Sequence, residues 1–588
     1  MIATLKDSSR LAMSAREYDV KMRTNSERPS SLVESERKSA MKLNNLTIAG
    51  CFVALLCVSP ARAQEMHTHQ HDASEKLGQV NFSVSCKPVV RAQFNRATAM
   101  LHSFWYAESE KAYTSIAKGD PACGMAYWGV AMSLFHPVWA PGTAAELQRG
   151  RVAAEKATSI GGKTQREKDY IAAIAAFYKD SDKLPHAARA LAYEQAMEHV
   201  YRSYPKDHEA AIFYSLSLLG TASASDKTYE KQKQAAAILN KIVPAEPQHP
   251  GVAHYLIHSF DYPQLAQLAL PAARRYAKIA PSSPHALHMP SHIFTRLGLW
   301  PESIQSNLAS AAAAQKHLAM LNPGPNAAAF DQLHAMDYLV YAYLQGAQDQ
   351  EAKRMLDQVN AFSKVDSEIF SAAYAFAAIP ARYALERRRW SDAAQIKLHP
   401  VNFPWDQFRY AEAIIYFARA LGAARSNNPA AARIDAEKLS TIQRGLVEAR
   451  ETYWANQVEI QRQLAVAWIL RAEGKNEEAL SQMRSAVALE ASTEKHPVTP
   501  GPITPARESL GEMLLELNQP RQALQEFAAS LQDSPNRFNG LFGAARAAEL
   551  LGDKKTAAEY YAKLVTLTAN ADSDRPELQK TREFLAQK

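Results

Sequence analysis

The sequence predicts an all-α solenoid of stacked helical hairpins, and three observations carry that prediction. The composition, 47% hydrophobic and 22% charged, is that of an ordinary folded chain and excludes bulk disorder, collagen and a multispan membrane protein. Thirty Pro against 22 Gly, set among Ala-rich stretches, read as short helices separated by breakers rather than strands joined by glycine turns. A register of small and aromatic residues returns at a spacing of 34, the sign of one helical hairpin per period.

Residues 1–40 are polar and read as an untranslated or disordered extension, because such a stretch does not belong upstream of an export signal. The signal is residues 41–63: Lys42 as a short positive region, Leu46 to Val58 as the apolar core, and Ala61-Arg62-Ala63 as a small-x-small cleavage site. Ile48-Ala49-Gly50-Cys51 resembles a lipobox, but there the apolar core would follow the cysteine instead of preceding it. Cleavage after Ala63 predicts a periplasmic or secreted protein with no membrane span once the signal is removed. The leader takes 10 bases and 6 acids with it, so the formal +7 falls to +3 and gives no argument for a nucleic-acid partner. Cys51 and Cys57 leave as well. Cys86 and Cys123 remain, either as a disulfide suited to an oxidising compartment or as two buried thiols. Residues 64–87 read as a flexible tail, with His67, His69, His71 and Asp72 as a short metal-capturing tract.

The hairpins follow. Tyr113 and Pro121, then Trp128-Gly129, open the series. The register returns around Ala269 with Pro281, Ser303 with Asn307, Ala352, and Ala479 with Met483. It is clearest at Leu510-Gly511, Ala523, Phe527 and Pro535, with Ala557 and Tyr561 each 34 residues after Ala523 and Phe527. These residues resemble the L-G, A-x3-F, P pattern of tetratricopeptide-repeat proteins over most of residues 88–570. The resemblance implies a right-handed superhelix in which small residues let antiparallel helices approach and each pair buries its apolar face on the next. On this reading 88–365 is an N-terminal solenoid with a His-rich groove, 366–460 holds divergent helical repeats, and 461–588 holds C-terminal repeats. Breaks are expected at Ala319 to Ala329, His399 to Trp405 and Lys495 to Pro505.

Histidines fall into the same register. His254 and His258 sit four apart, so they share a helix face, and His288 and His292 follow each by 34 residues. His285 and His334 take position 2 of their first helices, Asp337 position 5 and Tyr341 position 9. In tetratricopeptide proteins those positions face the concave groove. With neighbouring helices about 8–10 Å apart, the imidazoles can meet from both sides. Such a set suits zinc or copper, with His254, His258, His288 and His292 as the ligands. The competing reading is structural pairs bonded to carbonyls or tyrosines, and Pro290 would displace His288 from the shared face if a helix began at Met289.

Without metal, the groove reads as a site for a protein or peptide partner, flanked by Tyr255, Phe260 and Tyr262, with Arg274, Arg275 and Arg296 to hold an anion. Phe294 and Trp300 are expected in the core. His102 and His136, among Phe104, Trp105, Tyr106 and Trp139, read as an aromatic core under the N-terminal cap, and Arg387 to Arg389 as a solvated helix end. The chain carries no HExxH, GxSxG, P-loop or paired-cysteine motif, so no catalytic residue is nominated.

The strings HYLIHSFDYPQLA and PHALHMPSHIFTRLGLW, with LHSFWYAESEKAY and ACGMAYWGVAMSLFHPVW near the N-terminus, resemble a family of exported bacterial tetratricopeptide proteins. The resemblance implies the fold and the export and marks the histidine groove, and it brings no activity with it. The expectation is an exported binding or scaffolding module, with zinc or copper binding, and metal-dependent hydrolysis, as the alternative.

Overall fold

Helical hairpins follow one another along the chain in a computed structural model that describes residues 75–138 and 142–587. The leader, its cleavage site, His67, His69, His71 and Trp139 lie outside the described residues. Among those described, regular structure is helical apart from a two-residue parallel pairing of Ala327–Ala328 with Lys364–Val365.

The hairpin formed by helices Ala506–Glu516 and Pro520–Asp533 explains the repeat register. Gly511 on the first helix, and Gly543 on the following helix Phe538–Leu550, both back onto the ring of Phe527 so closely that a Cβ would overlap it. The small residue of one helix and the aromatic of its partner are therefore a single packing contact. Gly129 and Tyr113 repeat it near the N-terminus. Between the two helices Asn518 takes a left-handed φ of 55°, and the N–H groups of Asn518 and Gln519 donate back to the carbonyls of Leu515 and Leu514. That pattern closes a helix, and Pro520 then opens the next within its first turn.

Neighbour packing does not account for the way later repeats close over earlier ones. The Trp300 indole donates to the Asn536 carbonyl at 2.7 Å, Lys227 pairs with Glu494 at 2.7 Å, and Lys495 reaches Asp261 at 2.8 Å. The Lys495 to Pro505 stretch is a loop, as its prolines predict, but Arg382 pins it by donating to the carbonyls of Gly501 and Pro502 at 2.8 Å each. The apolar core gathers in two main clusters, one from Leu77 to Phe294 and one from Ala328 to Ala547.

Three expectations are corrected. The flexible tail 64–87 is, from residue 75 on, an extended segment in the core: Val80, Phe82 and Val84 alternate inward, and Cys86 is disulfide-bonded to Cys123. Period-two burial is what seats an extended chain against helices. The Arg387 to Arg389 run is solvated only at Arg389, since Arg387 meets Asp349, and Arg388 joins Glu512 to Glu577. Finally, the groove is not open: all six of its histidines, Asp337 and Tyr341 are buried.

Candidate metal centre

Four helical segments bring the histidines together. Helix Pro250–Phe260 is buried on every face and carries His254 and His258. The short helices Pro284–His288 and Pro290–Arg296 carry His285, His288 and His292. Helix Phe330–Gln345 carries His334. Pro290 does split the helix, since it has no N–H to donate. Met289 nevertheless keeps helical angles, φ −54° and ψ −34°, so His288 and His292 stay one turn apart on one face.

The imidazoles form two trios. His254, His258 and His285 gather their ligand atoms within 4.8 Å, and His288, His292 and His334 do the same. The four-histidine set expected from the sequence is thus divided between two groups, each completed by a histidine from the position-2 column. In the first trio His254 Nε2 lies 3.1 Å from His258 Nε2 and 3.2 Å from His285 Nε2. In the second, His288 Nε2 faces His292 Nε2 at 3.0 Å. His258 and His292 ring centroids are 6.1 Å apart, as are those of His285 and His288.

The other ring nitrogens fix the tautomers. His254 Nδ1–H donates to the His102 carbonyl at 2.6 Å. His288 Nδ1 meets Asn307 Oδ1 at 2.6 Å, and because Asn307 gives its Nδ2–H to the Ser303 carbonyl, Oδ1 is the acceptor. His292 Nδ1–H donates to Asp261 Oδ2 at 3.0 Å. Each of these three rings therefore presents an Nε2 lone pair to the centre, and His288 and His292 present theirs to each other. Burial pushes all six histidines below their ordinary value, His254 to about 3, so the rings are neutral at neutral pH. Neutral imidazoles held at Nδ1 by a carbonyl, an amide and a carboxylate are the form in which histidine binds a metal. Two nitrogens bonded to one tetrahedral ion at about 2.0–2.1 Å lie roughly 3.3 Å apart, close to the spacings here.

Asp337 and Tyr341 are not in the set. Asp337 accepts from Arg382 Nε at 3.0 Å, and Tyr341 accepts from Arg537 at 2.7 Å, so both belong to a separate buried ion network. Sequence reasoning missed several supports. Asp261 stands three residues after His258 and Tyr338 four after His334, spacings that register reasoning could have used. Asn307, the His102 carbonyl and Phe104 carried no such signal. Asp261 also pairs with Arg296 at 2.9 Å and Lys495 at 2.8 Å; burial alone would raise its carboxyl, and these two cations hold it well below the usual range. A further buried group, His102, Glu209 and His249, is a closed network: both Glu209 oxygens accept from the two rings at 2.9 Å, and His102 Nδ1 meets the Tyr255 hydroxyl.

The helix pairs and their glycine-to-aromatic contacts define a helical-repeat protein of the tetratricopeptide type. No family model and no curated protein matches the chain. Solved structures with a similar course include yeast Tom70, at 11% identity over 85% of this chain and 96% of that one, with a TM-score of 0.32. The Cut9 and Hcn1 tetramer of the APC/C matches at 11% identity over 83% and 89%, TM-score 0.31. The TPR domain of P58(IPK) matches at 12% over 85% and 99%, TM-score 0.18. Likeness this distant says nothing of activity.

Proposed function

We propose that this helical-repeat protein is exported and binds a transition metal, zinc or copper, through its buried histidines. One observation carries the reading: His288 and His292 each commit the Nδ1 proton elsewhere and point Nε2 lone pairs at each other across 3.0 Å. Two acceptors cannot bond to one another, and among the described residues the only other donor near this contact is the Tyr338 hydroxyl, 3.4 Å from His292 Nε2, so a cation between the rings is what satisfies both lone pairs at once. A proton would supply one, but burial opposes the imidazolium, and Asp261, the nearest counter-charge, already answers Arg296 and Lys495. The Cys86–Cys123 bond supports export, since such bonds persist in oxidising compartments.

Elemental analysis of untagged protein from its native compartment tests this. Stoichiometric zinc or copper is expected in the parent, and loss of it in a His258→Ala, His292→Ala double variant. Metal-free parent protein, still without metal after reconstitution with either ion, overturns the reading.

A second reading keeps the repeat as a module for a protein or peptide partner. It is supported by a cavity of about 440 Å³ lined by Tyr374, Tyr453, Trp454, Arg296 and Arg507. A partner would sit there rather than on the buried histidines. Trp454→Ala is expected to abolish capture of such a partner while leaving metal content unchanged.

A further inference from the structure

We propose that the six histidines hold two copper ions as a pair, one in each trio, in the cuprous state. This rests on the metal-binding reading and goes past it in the number and kind of ion.

The number follows from the grouping. Each trio is complete in itself, three ligand atoms within 4.8 Å, with the imidazoles of His254 and His288 each oriented by its own Nδ1 acceptor. A tetrahedral or trigonal ion takes three imidazoles readily, whereas six would crowd it. The trios touch through His258 against His292 and His285 against His288, both at 6.1 Å between centroids, so two ions would feel each other's charge.

The kind follows from charge. All six ligands are neutral, and none is a thiolate or carboxylate. Two dications would bring four positive charges into a site whose histidines are at most 6% exposed, beside a carboxylate already matched by Arg296 and Lys495. Two cuprous ions bring half of that, and the cost of burying unmatched charge rises steeply with its magnitude. Copper is also the ion among those suited to imidazole that has a stable monovalent state and accepts three ligands.

Aromatic rings close over both trios. The Phe104 ring lies 4.3 Å from that of His254 and 5.6 Å from those of His258 and His285. Tyr338 lies 4.7 Å from His288 and 5.1 Å from His292. Phe104 takes φ +52°, a costly backbone for a bulky residue, and such strain concentrates at functional sites. Here it sets an apolar ring over three imidazoles, which favours a low-charge, weakly hydrated ion.

The full mature chain, stripped with chelator and then offered equal Cu(I) and Zn(II) without oxygen, provides the test. Two coppers per chain and no zinc are expected after desalting. His285→Ala and His334→Ala, from separate trios, are each expected to keep one, half the parent content, with helical circular dichroism matching that of the exposed-site control His199→Ala. The parent measurements do not depend on the variants folding. One copper per chain, or a single trio variant that loses both coppers or neither, overturns the pair and leaves metal binding standing. Two zinc ions and no copper overturn the cuprous assignment alone. No metal of either kind overturns both this inference and the reading on which it rests.

Discussion

Two buried polar regions lie in this chain, and they solve the cost of burial in opposite ways. Around Arg537, which is 1% exposed on its side chain, every charge is answered: Nε donates to Glu508 at 2.6 Å, Nη2 to Glu508 and Glu386, and Nη1 to the Tyr341 hydroxyl. Arg382 likewise spends its donors on Asp337 and two carbonyls. The histidine centre has the reverse character. The Nδ1 atoms of His254, His288 and His292 are bonded to His102, Asn307 and Asp261, and the Nε2 atoms of His288 and His292 then face each other as acceptors. Buried polar groups persist when they are bonded, so the first region is complete as it stands, and on the metal-binding reading proposed above a cation completes the second.

The largest test of that contrast is Arg537→Ala. It strands Glu508 and Glu386 without their cation in the interior, and the expected loss is about 3–5 kcal/mol of folding stability. Urea unfolding measures it, and metal content per folded chain is expected to stay as in the parent. Loss of metal along with stability would break the separation of the two regions.

Next in size is the response to metal. With free metal at a hundred times its Kd, the parent is expected to gain about 2.7 kcal/mol per occupied site, and the His258→Ala, His292→Ala double variant nothing. Thermal unfolding with and without metal reads the difference. A gain retained in the double variant would place binding elsewhere.

A paired substitution sharpens the comparison further. Asp261→Asn keeps an acceptor for His292 but removes the charge behind it, and metal affinity is expected to fall about 10–100-fold. Asp337→Asn removes a carboxylate just as buried, from the other region, and is expected to leave affinity unchanged. Competition against a chelator measures both.

Much of the centre was legible because the repeat writes it down. A 34-residue register projects His254 onto His288 and His258 onto His292, and helix stacking turns that register into proximity. What the register cannot encode is contact between repeats far apart in the chain. Lys495 is 234 residues from Asp261, and Arg537 is 196 from Tyr341, and these contacts fill what a repeat pattern alone predicts as an open groove. The division into trios was also hidden. It depends on Nδ1 partners such as the His102 carbonyl, a backbone atom with no residue-type signature, and on side-chain directions within a face. Proline loops and glycine-to-aromatic contacts were readable because each follows from one residue's local chemistry.

The smallest effect concerns acid. Asp349 accepts from Arg575 at 2.5 and 3.0 Å and from the Ser573 hydroxyl at 2.6 Å, and pairs as an ion with Arg387 at 3.0 Å. Burial by itself would raise its carboxyl, but the Arg575 fork and the Ser573 hydroxyl outweigh burial, and the folded value lies below the ordinary one. On acidification the unfolded chain, with an aspartate near pH 3.9, takes up its proton first. The stabilisation is therefore full above about pH 4 and is lost as pH falls through the folded value, with a slope of at most about 1.4 kcal/mol per pH unit. Asp349→Asn leaves Arg575 and Arg387 less well matched, so stability drops at all pH values, but its profile below pH 4 is expected to be flatter by that slope. Urea midpoints from pH 3 to pH 7 check this. A change of slope confined to pH above 5 would mean that Asp349 is not held by its arginines as a charged group, and that this region is less completely satisfied than its geometry implies.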